Sequence, residues 1–426
     1  MNVKELENHF AGCKCGHEHC SKVKAVEAAC GNLRRIADIL RKYGFPEKLL
    51  LVADENTLSA AKGVIGFLEN GGFSVKTHIY ENLRVASMEQ VEAVERLCDD
   101  CEGVLSVGTG SLNDICRLAA YRQNKEFAIF ATAPSMDGFA SDTAPITDGN
   151  FKMSYRARQP SVIIADTDIL AASPVILKSS GFGDMIAKYT ALVDWRISQL
   201  LTGEYYCENV AALTQESLDR IIGLAGRIKA DDTQSAQAVF EALILTGLGM
   251  SYTGNSRPAS GAEHVISHFW EIKKLQNGLE SDFHGRKVGV ATLATAKIYH
   301  RLAELESVNA TRDNPDWDEI KSVYGEGLSE DMMKMNLPET ITAQISPADI
   351  SEKWGEIRKI IKTTLPPYDS LLELMKTAGA PTTNKEIDVT DDLFFTGLKY
   401  HSYMRRRVTL MRLIPMLGAG EEIYKL

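Results

Sequence analysis

The stretch GVLSVGTGSLND, Gly103–Asp114, decides the fold. Gly103 to Val107 is an apolar run of strand length, and Gly108 and Gly110 then open a turn into a helix-periodic segment, Leu112 to Ala120. A buried strand that passes through glycines into a helix turns bare N–H groups and a helix N-terminus toward one point, where an anion such as a pyrophosphate is stabilised. Asn113 stands where the dinucleotide pattern G-x-G-x-x-G has its third glycine, so a plain strand-to-helix turn stays open as a reading.

Working outward, the same texture repeats. Leu49 to Ala53 is an apolar run ending in Asp54, Leu58 to Leu68 reads as a helix stopped by Gly71 and Gly72, and Ser74 to Tyr80 alternates like a strand. Ser87 and Gln90 have capping-box spacing and predict a helix running to about Asp99. Phe127 to Thr132 and Val162 to Ala165 are further strands. Strands alternating with helices are the signature of βαβ units and a parallel sheet. Beyond Pro174 the segments become long and helix-periodic, most clearly Ile186–Leu201, Gln215–Ile228, Gln237–Leu248 and Ala259–Lys274. The expectation is an α/β dinucleotide-binding domain with a parallel sheet over 1–172, including a Cys-rich N-terminal hairpin. An all-α domain over 173–426 would bind metal and substrate, with the metal in the cleft. No repeat of fixed period is present.

At 426 residues the chain exceeds one ordinary core and suits two domains. Its 44% hydrophobic and 24% charged residues are those of a globular protein. A net charge of −10 lacks the basic footprint of a nucleic-acid binder. No apolar run reaches the roughly 20 residues of a membrane helix, and the N-terminus lacks a signal-peptide core, so a cytoplasmic protein is expected. Eight irregularly spaced cysteines fit a reduced compartment. Cys13, Cys15 and Cys20, with His17 and His19 between them, could form a small zinc site or only a surface hairpin, since no CxxC pair is present.

Three features carry chemistry. His264 and His268 are four apart in SGAEHVISHFWE and project from one helix face, and His284 follows in DFHGRKVGVAT. Asp184 in GFGDMIAK lies among apolar neighbours, where a carboxylate is costly unless paired or metal-bound. Two histidines and one aspartate with open positions describe a catalytic Zn(II), Fe(II) or Ni(II) site, against the alternative of core or solvated histidines. Asp54 could accept from a ribose hydroxyl, favouring NAD, or simply cap the next helix. Asp137, in TAPSMDG after another strand, could orient a polyol or only form a turn.

Together the segments VADENT, GTGSLND, TAPSMDGFAS, GFGDMIAK, SGAEHVISH and HGRKVGVAT, in this order between about Leu49 and Val290, resemble the sn-glycerol-1-phosphate dehydrogenases of the iron-alcohol-dehydrogenase and glycerol-dehydrogenase superfamily. The resemblance implies Asp184, His264 and His284 as metal ligands. It implies Asp137, Asp184 and His268 at the substrate, with Asp184 and His268 catalytic. Asp54, Gly108, Gly110, Ser111, Leu112, Asn113, Asp114, Thr132, Ala133, Pro134, Ser135 and Ser141 match the dinucleotide site. It further implies NAD(H) or NADP(H), one divalent metal ion (Zn, Ni or Fe), a small phosphorylated substrate and a homo-oligomer. The implied reaction is reversible reduction of dihydroxyacetone phosphate to sn-glycerol 1-phosphate. The rivals are a glycerol dehydrogenase, a dehydroquinate-synthase-like cyclase, which needs more bases than Lys188 and Arg257, and a non-catalytic dinucleotide or metal sensor. Arg405, Arg406 and Arg407 read as a charged helix face sooner than as a phosphate clamp.

Overall fold

Six parallel strands in the order β1-β8-β5-β4-β2-β3 form the central sheet of the computed structural model, which describes residues 1–149 and 151–425. The strands are β1 (Ala25–Ala28), β2 (Lys48–Asp54), β3 (Ser74–Tyr80), β4 (Gly103–Gly108), β5 (Glu126–Ala131) and β8 (Val162–Ala165). The central β4, β5 and β8 are buried nearly throughout, as continuous apolar runs covered on both faces by helices require. The remaining two strands, β6 (Thr143–Asp148) and β7 (Phe151–Arg156), form a separate antiparallel hairpin.

The order of strands reverses at β2: β3 lies on one side of it and β4 on the other. In open parallel sheets such a switch point opens a crevice at the carboxyl ends of the strands. Here those ends are Asp54 and Gly108, one residue beyond the Ala53–Val107 register pair.

The chain divides into two compact units, Met1–Met185 with Glu216–Asn255, and Ile186–Gln215 with Ser256–Leu426. The first holds the sheet and the long helix Thr233–Thr253. The second contains only helices and turns among its described residues, as expected for the C-terminal part. Its core is aromatic: Trp195, Trp270, Trp354, Tyr299 and Tyr324 are fully buried, and Trp270 stacks on Phe394 at 5.3 Å.

Several expected boundaries move. Leu58–Leu68 is not one helix but two, Glu55–Ala60 and Val64–Asn70, because Gly63 adopts φ +91° between them. Gln215–Ile228 gives way to a helix over Glu208–Ile222, and Ile186–Leu201 to one over Lys188–Thr202. Arg405–Arg407 are not a helix face. Arg405 is extended (φ −142°, ψ 138°) and Arg407 N–H donates to the Arg405 carbonyl. Among the described residues no helix is long and apolar enough to cross a membrane.

Candidate active site

At the crevice, the glycine turn behaves as its sequence requires. Gly110 begins the helix Gly110–Arg122 with φ +34°, and a β-carbon on Gly108 would stand 2.4 Å from Leu112 Cδ1. Thr109, the N-cap, makes no side-chain cap bond, so the first N–H groups of the helix depend on another partner. The Thr109 hydroxyl is instead hydrogen-bonded to that of Ser135 at 2.6 Å, which joins the loops after β4 and β5.

The other expected cofactor residues lie around this turn. Ser111 Oγ donates to the Arg84 carbonyl, Leu112 is buried, and Asn113 is wholly buried with its side chain accepting from Ser106 Oγ at 2.8 Å. Asn113 thus joins helix to strand in the place where a third glycine would let them approach. Burial pushes Asp114 up to about 6, against the opposing charges of Arg117 and Lys152. Asp54 caps the helix Glu55–Ala60, its Oδ1 accepting from Thr57 N–H at 2.8 Å. Thr132, Ala133 and Ser135 are buried on the loop after β5.

That loop is held from two sides. The helix Val175–Ile186 passes so close at Gly181 that a β-carbon would lie 1.9 Å from the Pro134 carbonyl oxygen, while Ser180 Oγ donates to the Ser135 carbonyl at 3.0 Å. One turn later on that helix, Asp184 is fully buried and its Oδ2 accepts from the Asp137 N–H at 2.9 Å. On the other side, a β-carbon on Gly247 would stand 2.8 Å from the Asp137 carbonyl oxygen. Arg117, which sequence reasoning passed over, is fully buried and donates to the carbonyls of Gly138 and Ser141, both at 2.6 Å. With one strand between it and those carbonyls, its only signal was an arginine inside the apolar segment ICRLAA.

The histidines stand on two neighbouring helices, Ala262–Gln276 and His284–Glu304. The rings of His264 and His284 are 5.3 Å apart, and those of His268 and His284 are 5.7 Å apart. His264 Nδ1 bonds Glu263 Oε1 at 2.7 Å, a tautomer-fixing contact that presents Nε2 to a ligand. Burial alone would raise the Glu263 carboxyl, but hydrogen bonds from His264, the Gly261 N–H and Thr190 hold it below its ordinary range. Asp194, also buried, accepts from the Ala262 N–H at 2.8 Å and from Tyr299 at 2.6 Å. Lys287 donates to Glu271 and Ser281, both at 2.8 Å. Each helix therefore contributes both a histidine and a buried polar strut. His264 and His284 thus stand side by side within the second compact unit, and Asp184 belongs to the first.

Arg257 does not line up as a sugar-phosphate base. Its guanidinium is committed to Glu204, the Val408 carbonyl and Ser198.

Comparison with known proteins follows this geometry. The chain is 30% identical over 419 residues to a glycerol-1-phosphate dehydrogenase [NAD(P)+] of Halalkalibacterium halodurans, covering 96% of each. It belongs to the glycerol-1-phosphate dehydrogenase family. A relative of the same name from Geobacillus stearothermophilus is 32% identical over 86% of this chain and 94% of its own, and one from Methanosarcina mazei is 35% identical over 62% and 73%. The iron-containing alcohol dehydrogenase model fits residues 27–174. The fold is also that of a probable glycerol dehydrogenase from Sinorhizobium meliloti, at a TM-score of 0.61 and 16% identity, covering 94% of this chain and 97% of that one. Membership in this family and its oxidoreductase character thus agree with the resemblance read from the motifs.

Proposed function

We propose that this chain catalyses the reversible, NAD(P)H-linked reduction of dihydroxyacetone phosphate to sn-glycerol 1-phosphate, with one divalent metal held by Asp184, His264 and His284. The observation that carries the reading is the imidazole pair His264 and His284, rings 5.3 Å apart, as the histidine part of a two-histidine, one-carboxylate ligand set whose carboxylate would be Asp184. Relatives matched over nearly their whole length are named for glycerol 1-phosphate and NAD(P)+. Zn, Ni and Fe all suit such ligands.

When bound, the metal supplies Lewis-acid polarisation of a carbonyl and the nicotinamide supplies hydride. The chain does the rest. Glu263 holds the His264 ring, and the Asp137 N–H holds one oxygen of Asp184. His268, one turn from His264, orients the substrate or passes a proton to its new hydroxyl, while the Asp137 carboxylate accepts from substrate hydroxyls. The helix start at Gly110 and Ser111 receives the pyrophosphate, and Asp54, Asp114, Thr132–Ser135 and Ser141 line the remainder of the nucleotide site. A cytoplasmic homo-oligomer completes the reading.

The test follows NADH absorbance with dihydroxyacetone phosphate, dihydroxyacetone or glycerol with NAD+ as the substrate pair, before and after chelation and with Zn, Ni or Fe restored. NADH oxidation with the phosphorylated ketone, lost on chelation and recovered with a metal, is the expected result. Turnover confined to the unphosphorylated pair would assign a glycerol dehydrogenase, and none with any pair would leave a sensor.

A further inference from the structure

We infer that Arg405 and Arg407, with the hydroxyls of Ser256 and Ser260, bind the phosphate group of the substrate. The assignment rests on the function proposed above and names the groups that separate a phosphorylated ketone from an unphosphorylated one. All four residues belong to the second compact unit. Arg407 donates through Nη2 to Ser256 Oγ at 2.6 Å, and through Nη1 to Ser260 Oγ at 3.1 Å and to the Ser260 carbonyl. Every one of these acceptors is uncharged. The Arg405 side chain makes no hydrogen bond or ion pair among the described residues. The two serine hydroxyls accept from Arg407 and so keep their own protons to donate to an oxyanion.

The charge balance points the same way. A guanidinium withdrawn from water is costly unless an opposite charge meets it. Burial and the repulsion of Arg257 and Arg405 push Arg407 down to about 9, while Glu204 and Glu263 oppose the shift. Burial lowers Arg405 as well. Neither carboxylate is at liberty: Glu204 is the ion-pair partner of Arg257, and Glu263 accepts from His264, the Gly261 N–H and Thr190. Three guanidiniums against two engaged carboxylates leave positive charge for a phosphate to neutralise.

The position suits the proposed reaction. Ser260 precedes Gly261, the N-cap of the helix Ala262–Gln276, and so lies about one turn, roughly 5 Å, before His264 along the axis. Helical side chains tilt toward the N-terminus, which leans the His264 ring back over that turn. In dihydroxyacetone phosphate the phosphorus is three bonds from the carbonyl carbon, a reach of the same order. A ketone oxygen beside His264 therefore carries its phosphate toward the serines that Arg407 holds. The run of three arginines is not one patch, because Arg406 is committed to the carbonyls of Met335 and Glu339.

The experiment compares the full-length, metal-loaded parent with Arg405→Gln, Arg405→Lys and Arg407→Lys. It measures NADH oxidation with dihydroxyacetone phosphate and with dihydroxyacetone, inhibition by inorganic phosphate, and metal content. Arg405→Gln removes no hydrogen bond that the fold uses, so it should fold and keep its metal. Its KM for the phosphorylated ketone should rise about 10- to 100-fold, the size of a lost hydrogen bond to a charged group, with kcat changed much less. Inhibition by inorganic phosphate should weaken by a similar factor, and Arg405→Lys should recover part of both. Arg407→Lys, which keeps the charge but loses the forked contacts to both serines, should also raise KM for the phosphorylated ketone more than for dihydroxyacetone. A parent that does not oxidise NADH with dihydroxyacetone phosphate overturns the proposed function and this assignment with it. A parent that does, beside variants with unchanged KM and phosphate inhibition, with equal losses on both ketones, or with lost metal, overturns this assignment alone.

Discussion

Asp194 accepts a 2.6 Å hydrogen bond from Tyr299. The same carboxylate accepts from the Ala262 N–H, at the start of the His264 helix, and from the Leu410 N–H, both at 2.8 Å. One buried side chain therefore ties together the two helices that carry the histidines. Asp194→Ala leaves three buried donors unsatisfied and is expected to cost about 3 kcal/mol or more in urea unfolding. Metal affinity should fall with it. A variant that unfolds like the parent and retains its metal would deny Asp194 this positioning role.

His264 and His268 share a helix but not a task. His264→Ala or Asp184→Asn should abolish both metal content and turnover. His268→Ala should keep the metal and lower kcat by about 10²-fold or more, the usual contribution of a placed proton-transfer group. Metal analysis beside steady-state rates checks this, and metal loss in the His268 variant would refute the division.

Gly181 admits the loop after β5. A β-carbon there meets the Pro134 carbonyl oxygen at 1.9 Å, a contact no rotamer relieves because it is made to backbone. Gly181→Ala should destabilise the chain by about 1–3 kcal/mol and weaken NADH binding through the displaced Thr132–Ser135 segment. Thermal melting and quenching of protein fluorescence by NADH measure the two effects, and unaltered affinity would separate this loop from the cofactor.

His401 is buried, with Nδ1 bonded to the Gly397 carbonyl at 2.8 Å, and burial pushes its pKa down to about 4 from an ordinary 6.5. As pH falls below 6.5 the unfolded chain takes up the proton before the folded one does. Its contribution to stability is thus complete above about pH 6.5 and is lost progressively down to about pH 4, by roughly 3 kcal/mol at most. Denaturant unfolding at pH 7 and pH 5 should show a smaller difference in His401→Asn than in the parent. Equal differences would place the acid sensitivity elsewhere.

What was legible in the sequence was local. β3 lies over Ser74–Tyr80 as its alternation predicts, and Ser87 and Gln90 make the reciprocal cap that their spacing predicts. Those signals are read by neighbours two to four residues away. β1 was missed because AVEA is too short to show a period, although it pairs in register with β8. The β6–β7 hairpin did carry a signal, Asp148-Gly149 between alternating residues, with Gly149 at φ +59°.

The site divided in the same way. His264 and His268 were visible as a helical pair, but the parts that aim them were not. Asp194 finds Ala262 and Leu410 at separations of 68 and 216 residues, and Lys287 meets Glu271 across a turn between helices. Arg117 fastens the carbonyls beyond Asp137 from a helix two elements earlier. Such partners satisfy buried polar groups, a requirement that only the folded arrangement defines.

The hydroxyl pair Thr109–Ser135, 2.6 Å apart, has a thermodynamic meaning for whatever enters the crevice. The two loops are ordered by each other before any ligand arrives, so their conformational entropy is surrendered in folding and not in association. Breaking the pair with Thr109→Val and Ser135→Ala should therefore appear chiefly as a less favourable binding entropy, with faster dissociation, in a pocket whose contacting groups are otherwise unchanged.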